Sequence, residues 1–139
     1  MSHVRWTTRD QWHVTLRFLG DAAADEVIAA LSRVTAPPTD AVLATRTQRL
    51  GRGVLCVHVS GLDDLAAAVL AATASLGRPP EHRAFRGHVT LARVDGRTKP
   101  PLTDVPALSW PVATFALVRS HLGRGPARYE TVATWPLQP

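Results

Sequence analysis

One tetrapeptide occurs twice in this chain. His13-Val14-Thr15-Leu16 opens the run HVTLRFLG, and His88-Val89-Thr90-Leu91 opens the run HVTLARV, 75 residues later in a chain of 139. Both runs mix β-branched and apolar residues and read as strands, the first over 13–19. Side chains alternate along a strand, so His13 and Thr15 share one face and Val14 and Leu16 the other. His88 and Thr90 share a face in the same way. If the two halves of the chain face each other, two imidazoles and two hydroxyls converge in one cleft.

The elements around the copies suit an α+β domain. Val4-Arg5-Trp6 is a short extended piece, and Gly20 ends the first strand. Asp21 reads as an N-cap for a helix over 22–33, with Val27, Ile28, Leu31 and Val34 at helical spacing, and Pro37-Pro38 stops it. Residues 41–50 read as a polar, Arg-rich strand, and Val54 to Ser60 as a buried one. Ser60 is placed to cap a helix over 62–76, with Asp63 and Asp64 in its first turn and Gly77 at its C-cap. Residues 95–106 read as loop. Phe115 to Ser120 and Tyr129 to Trp135 read as strands joined by Gly123-Arg124-Gly125-Pro126 as a hairpin. Two helices among about six strands favour antiparallel sheets over a doubly wound parallel one. The repeat predicts a bilobal, pseudo-symmetric domain, 1–139, with helices on the outside and a central cleft.

Composition narrows the class. Hydrophobic residues make up 45% of the chain, which suits a single globular domain with a real core. No apolar run approaches the ~20 residues of a membrane span, and no signal segment opens the chain. The lone cysteine, Cys56, cannot form an internal disulfide, so a cytoplasmic location is expected. Net charge is +5, carried by fifteen arginines and one lysine, which suits a polyanionic partner. The overall Ala, Arg, Pro and Val bias could supply the arginines without any such partner.

Phosphoryl chemistry needs a base on one side of phosphorus and an acid on the other. Imidazole serves both roles because its ordinary pKa, about 6.5, lies near working pH. Neighbouring hydroxyls donate to non-bridging oxygens, and an arginine supplies positive charge without a metal. His58-Val59-Ser60 is a third, looser match and reads as an ordinary strand residue followed by a cap. His3, His82 and His121 fall at the terminus, in a loop and near a turn. With no His-Glu-x-x-His and no cysteine pair, no metal site is expected.

The paired His-x-Thr-apolar motifs resemble the two-histidine phosphoesterase superfamily. Val4-Arg5-Trp6, HVTLRFLG, FRGHVTLAR at 85–93, and the tail with Arg119-Ser120, Tyr129 and Trp135-Pro136-Leu137 resemble the bacterial and archaeal RNA 2′,3′-cyclic phosphodiesterases, also called 2′-5′ RNA ligases. The resemblance implies metal-independent opening of a ribose 2′,3′-cyclic phosphate to a 2′-phosphate, without a cofactor, and reversible 2′-5′ joining of RNA ends. It implies that His13 is the acid for the leaving 3′ oxygen and His88 the base for water. Thr15 and Thr90 hold the phosphate, Arg93 is the family's arginine, and Phe18 is the aromatic that stacks on a base. Unbroken strands would turn Phe18 and Arg93 away from the histidine face, so a bulge or strand end must re-aim them. Arg17 has the right parity and is the rival phosphate ligand, while core packing is the rival role for Phe18.

The chain departs from that pattern in two places. Gly87 stands where the family has proline, and the strand and helix that precede Val-Arg-Trp have no counterpart. Without them the strand over 13–19 lacks a neighbour and its sheet a cover. Two outcomes are expected: self-association of an otherwise monomeric chain through the first lobe, or an upstream segment of about 25–30 residues, roughly a strand plus a helix. RNA ends or small cyclic nucleotides are the expected partners, and no membrane. The alternatives are another cyclic phosphate, such as ADP-ribose 1″,2″-cyclic phosphate, and a catalytically weak RNA-binding module.

Overall fold

The computed structural model describes residues 4–95, 99–123, 125 and 127–138. The expectations for His3, for 96–98 of the predicted loop, and for Arg124 and Pro126 of the hairpin connection lie outside these residues. The elements are β1 (Val4–Trp6), a 3₁₀ turn (Arg9–Gln11), α1 (Ala24–Leu31), β2 (Thr39–Leu50), β3 (Val54–Ser60), α2 (Asp63–Thr73), β4 (His88–Val94), β5 (Leu108–Val112), β6 (Thr114–His121) and β7 (Arg128–Pro136). Five strands form one antiparallel sheet in the order β1-β4-β3-β2-β5, and β6 and β7 form a separate two-stranded hairpin. The α+β class with antiparallel sheets is as expected.

The centre of the large sheet is β3, VLCVHVS, whose β-branched and apolar residues suit a position with a neighbour on each side. Leu55, Val57 and Val59 are buried on one face, and Cys56 is buried on the other. Just past the predicted loop stands a strand for which the sequence reading made no assignment, β5, which pairs with the start of β2. Its sequence, Leu108-Ser109-Trp110-Pro111-Val112, carries a proline that speaks against a strand, and an edge position tolerates one.

Neither helix starts on the predicted cap. Ala23 precedes α1 and Leu62 precedes α2, both without a side-chain cap. The acidic first turns, Asp25-Glu26 and Asp63-Asp64, complement the helix dipoles instead. The Ser60 hydroxyl donates to the Val42 carbonyl at 3.4 Å, across the sheet.

Two apolar clusters hold the elements together. Val27 and Leu31 of α1 and Leu65 and Val69 of α2 meet Phe115 and Leu137, with Leu16, Leu19 and Trp135 against them. Phe115 and Trp135 are cross-strand partners whose rings stack at 5.3 Å. The Trp135 indole donates to the Ser32 hydroxyl at 3.0 Å, tying hairpin to α1. The second cluster, Ala41, Val59 and Leu62, draws in Val14, Leu16, Phe85 and Val89. None of the described helices is long and apolar enough to cross a membrane.

Candidate active site

The second copy sits on β4, between β1 and β3. The His88 Nδ1–H donates to the Arg86 carbonyl at 2.8 Å. A carbonyl only accepts, so Nδ1 carries the proton and Nε2 is left free to act on a ligand. Opposite His88 stands His58, and opposite Thr90 stands Cys56. The Val59 amide donates to the Gly87 carbonyl at 2.9 Å, which makes 59/87 a hydrogen-bonded pair and 58/88 a non-bonded one. Side chains on such pairs share one face, so His58 and His88 are direct cross-strand neighbours. Gly87 is buried, and a Cβ there would lie 2.6 Å from the Val59 carbonyl oxygen, so the close approach of β3 favours glycine over a bulkier residue.

A bulge in β4 turns Arg93 onto this face. Leu55 pairs with Ala92 and Cys56 with Thr90, so Leu91 is an extra residue. Beyond the bulge Arg93 pairs with Val54. Val54, Cys56 and His58 alternate on β3 and share one face, which gives Arg93 the side of the sheet that carries His88 and Thr90. The parity obstacle seen in the sequence is removed by one residue.

The first copy is not a strand. Residues 12–20 have no ladder partner among the described residues, which corrects the strand expected over 13–19. The edge strands β1, β6 and β7 pair with β4 and with each other, and none pairs with this segment. The segment still alternates, with His13 and Thr15 exposed and Val14 and Leu16 half-buried. Side chains hold it in place of a ladder. The Gln11 side-chain amide donates to the Ala127 carbonyl at 3.1 Å, and the His13 and Tyr129 rings meet edge to face at 4.8 Å between centroids. The His13 Nδ1–H donates to the Gln11 carbonyl at 2.7 Å, two residues back, as His88 does to Arg86. Both copies thus fix the same tautomer by the same local device.

The copies are neighbours. Val14, Leu16 and Val89 pack into one apolar cluster, so the alternating polar residues of both copies emerge away from it. The Trp12 indole donates to the Thr7 hydroxyl at 3.0 Å, and that hydroxyl donates to the Thr90 and Leu91 carbonyls, each at 2.9 Å. Two hydrogen bonds therefore separate the residue before His13 from the backbone of Thr90.

The remaining predicted residues divide. The Arg17 guanidinium donates to the Thr73 carbonyl, to the Thr73 hydroxyl at 2.6 Å, to the Leu76 carbonyl at 3.0 Å and to the Arg78 carbonyl at 2.6 Å. These acceptors lie at and just past the end of α2, so Arg17 ties down that helix end and is not the rival phosphate ligand. Burial lowers its pKa from the ordinary value. Phe18 is 63% exposed, which overturns core packing, and the Arg78 guanidinium lies 5.6 Å from its ring centroid. It lines a depression with Gly20, Asp21, Gly77 and Arg78 and is not in contact with either imidazole. His82 is exposed, and His121 meets Glu130 at 3.1 Å. Among the described residues no three of His, Cys, Asp and Glu group as metal ligands. His58, read from the sequence as an ordinary strand residue, is the direct cross-strand partner of His88, and Tyr129 is the ring against His13. A histidine inside the most apolar strand was the available signal for the first.

Three comparisons bear on this arrangement. The family model of LigT-like phosphoesterases matches residues 1–46. An RNA 2′,3′-cyclic phosphodiesterase from Geobacillus stearothermophilus is 32% identical over 149 residues, which cover 95% of this chain and 47% of that protein. An Escherichia coli K12 protein of the same name is 30% identical over 139 residues, 92% of this chain and 77% of that one. The chain thus spans about half the length of one of these relatives and three quarters of the other. The crystal structure of E. coli LigT complexed with 3′-AMP superposes with a TM-score of 0.81 at 27% identity, over 99% of this chain and 83% of that one. Two His-x-Thr copies whose rings are held by the same local hydrogen bond agree with those likenesses: the chain belongs to the LigT-like, two-histidine phosphoesterase family.

Proposed function

We propose that the two copies form one acid–base site that opens a 2′,3′-cyclic phosphate on RNA ends or small nucleotides to a 2′-phosphate without a metal. The observation that carries this reading is the matched pair of Nδ1–H···O=C bonds, which leaves Nε2 free on both His13 and His88. His88, neutral, takes a proton from water as the water oxygen attacks phosphorus. The P–O3′ bond breaks, and His13, protonated, gives its proton to the departing O3′. Thr15 and Thr90 hydroxyls donate to the non-bridging oxygens, and Arg93 offsets their charge. The exposed Phe18 ring is available for a base to stack on. The names of the two relatives and the 3′-AMP bound by E. coli LigT support a nucleotide substrate. The test is incubation with a 2′,3′-cyclic mononucleotide in EDTA. Formation of the 2′-nucleotide is expected, and either no turnover or turnover that EDTA abolishes would reject the proposal.

A further inference from the structure

Strand β3 carries one polar side chain that the packing of the sheet does not explain. Val54, Cys56, His58 and Ser60 alternate onto the face that holds His88 and Thr90. Val54 is apolar, Cys56 is buried, and the Ser60 hydroxyl is engaged with the Val42 carbonyl. His58 is half-buried between the buried Val57 and Val59, yet its ring makes no hydrogen bond, ion pair or ring contact among the described residues. A β-branched apolar side chain would serve the strand better, because a half-buried polar ring loses water without gaining a partner. The direct cross-strand partner of His58 is His88, and such partners have Cβ atoms about 5 Å apart. The two edges of β4 also divide the site. Trp12, next to His13, is tied through the Thr7 hydroxyl to the Thr90 and Leu91 carbonyls, on the edge of β4 that faces β1. His58 stands on the other edge, on β3.

We infer that His58 holds the water that attacks phosphorus and thereby selects water over other nucleophiles. The inference rests on the reaction proposed above. There O3′ departs toward His13, so in-line attack brings the water in on the side of His88, away from the first copy. A water molecule has two hydrogens. One goes to Nε2 of His88 as the oxygen attacks. The other is donated to the unprotonated nitrogen of the His58 ring, an acceptor in the neutral imidazole. With both hydrogens held, a lone pair of the oxygen is turned toward phosphorus. An alcohol has a single hydroxyl hydrogen, which His88 takes, so the His58 nitrogen is left facing an alkyl group. A site built to hydrogen-bond one group discriminates against an analogue that lacks it. His58 therefore turns the site toward hydrolysis and away from transfer of the phosphate to another hydroxyl, a ribose hydroxyl included.

The test lets two nucleophiles compete. A 2′,3′-cyclic mononucleotide is turned over in EDTA and buffered aqueous methanol, and both products are measured. Water gives the 2′-phosphate. When methanol attacks instead, its oxygen bonds to phosphorus, the P–O3′ bond breaks, and the product is the nucleoside 2′-(methyl phosphate). The methanol proton passes to His88, and His13 supplies the proton on O3′. His58→Phe keeps a ring and removes the acceptor. It should slow hydrolysis more than methanolysis, so that the ratio of methyl ester to 2′-phosphate rises by roughly three- to tenfold, the worth of one neutral hydrogen bond. His58→Gln, whose side-chain carbonyl accepts a hydrogen bond, should bring the ratio back toward that of the parent. A merely structural role for His58 would slow both reactions alike. The ratio is read on active molecules only, so a loss of folded protein does not move it. An unchanged ratio in His58→Phe, or a ratio raised equally by both variants, would overturn the inference and leave the reaction standing. A parent chain that forms no 2′-nucleotide would overturn the reaction and this inference with it.

Discussion

The two copies of His-Val-Thr-Leu are identical in sequence and are held by different forces. The second lies on β4, laddered to β3, with β1 pairing just beyond it at Ala92–Val94, so its backbone fixes it. The first has no ladder, and separate side chains hold it: Val14 and Leu16 in the apolar cluster, Gln11 on Ala127, Trp12 on Thr7, and Arg17 on the end of α2. Both deliver an imidazole with its Nδ1 on the carbonyl two residues back. The motif therefore encodes the local geometry of the ring, and the surroundings decide only how firmly the segment is kept. The two copies should be equal in chemistry and unequal in stability.

The largest effects test the equality. His13→Ala and His88→Ala should each lower turnover by roughly 10²–10⁴, the usual worth of one acid–base group. Melting temperatures should barely move, since neither ring fills a core. A variant that keeps near-normal rates would remove its histidine from the site and break the symmetry.

Stability should then separate the copies. Arg17→Met leaves the carbonyls at and just past the end of α2 without their charged donor and should cost about 2–3 kcal/mol. Hydrogen exchange should quicken over 13–19 and 70–78 while β4 stays protected. Equal loosening of both copies would show that Arg17 serves the whole fold and not the first copy. A smaller effect is expected at Gly77, which has φ +64° and lies where a Cβ would come 2.3 Å from the Leu19 carbonyl oxygen. Gly77→Ala should cost about 1–2 kcal/mol from its backbone conformation alone and should also show first at 13–19. A thermal melt identical to the parent would mean that the helix end and the first copy are uncoupled.

Cys56 gives the smallest effect and reports on the second copy. It faces Thr90 across the ladder, and burial pushes its thiol up from the ordinary value. The native thiol should resist a maleimide that labels it readily after unfolding. A raised folded pKa means that the folded state keeps a proton which the unfolded state releases. Its contribution to stability is therefore present below about pH 8.5 and falls as pH rises past that value. Fast native labelling would show that β3 and β4 open as easily as the first copy.

Much of this was legible in the residues, and the gaps have physical causes. Strand 54–60 matches β3 to the residue, because a dense β-branched run between turn signals has few other outcomes. The repeat of the motif was legible too, and both copies hold their histidine by the same local bond. A strand over 13–19 was expected on the same local grounds. It failed because a strand is completed by its neighbour, and no described strand pairs with 12–20. Arg17 had the parity of a ligand, yet the end of α2 took it, a contact 56 residues away in the chain that no local pattern displays. The Leu91 bulge is invisible in HVTLARV because the register of β3 imposes it. His58 was set aside as ordinary for the same reason: its importance lies in what stands opposite.

The most direct measurement is the pH dependence of kcat/KM for a 2′,3′-cyclic mononucleotide, in EDTA, for the parent chain and for His13→Ala and His88→Ala. One neutral and one protonated imidazole acting together give a bell. Removing His88, the base, should abolish the acid limb, and removing His13, the acid, should abolish the alkaline limb. A parent profile without two limbs, or a single variant that retains both, would contradict a site shared by the two copies.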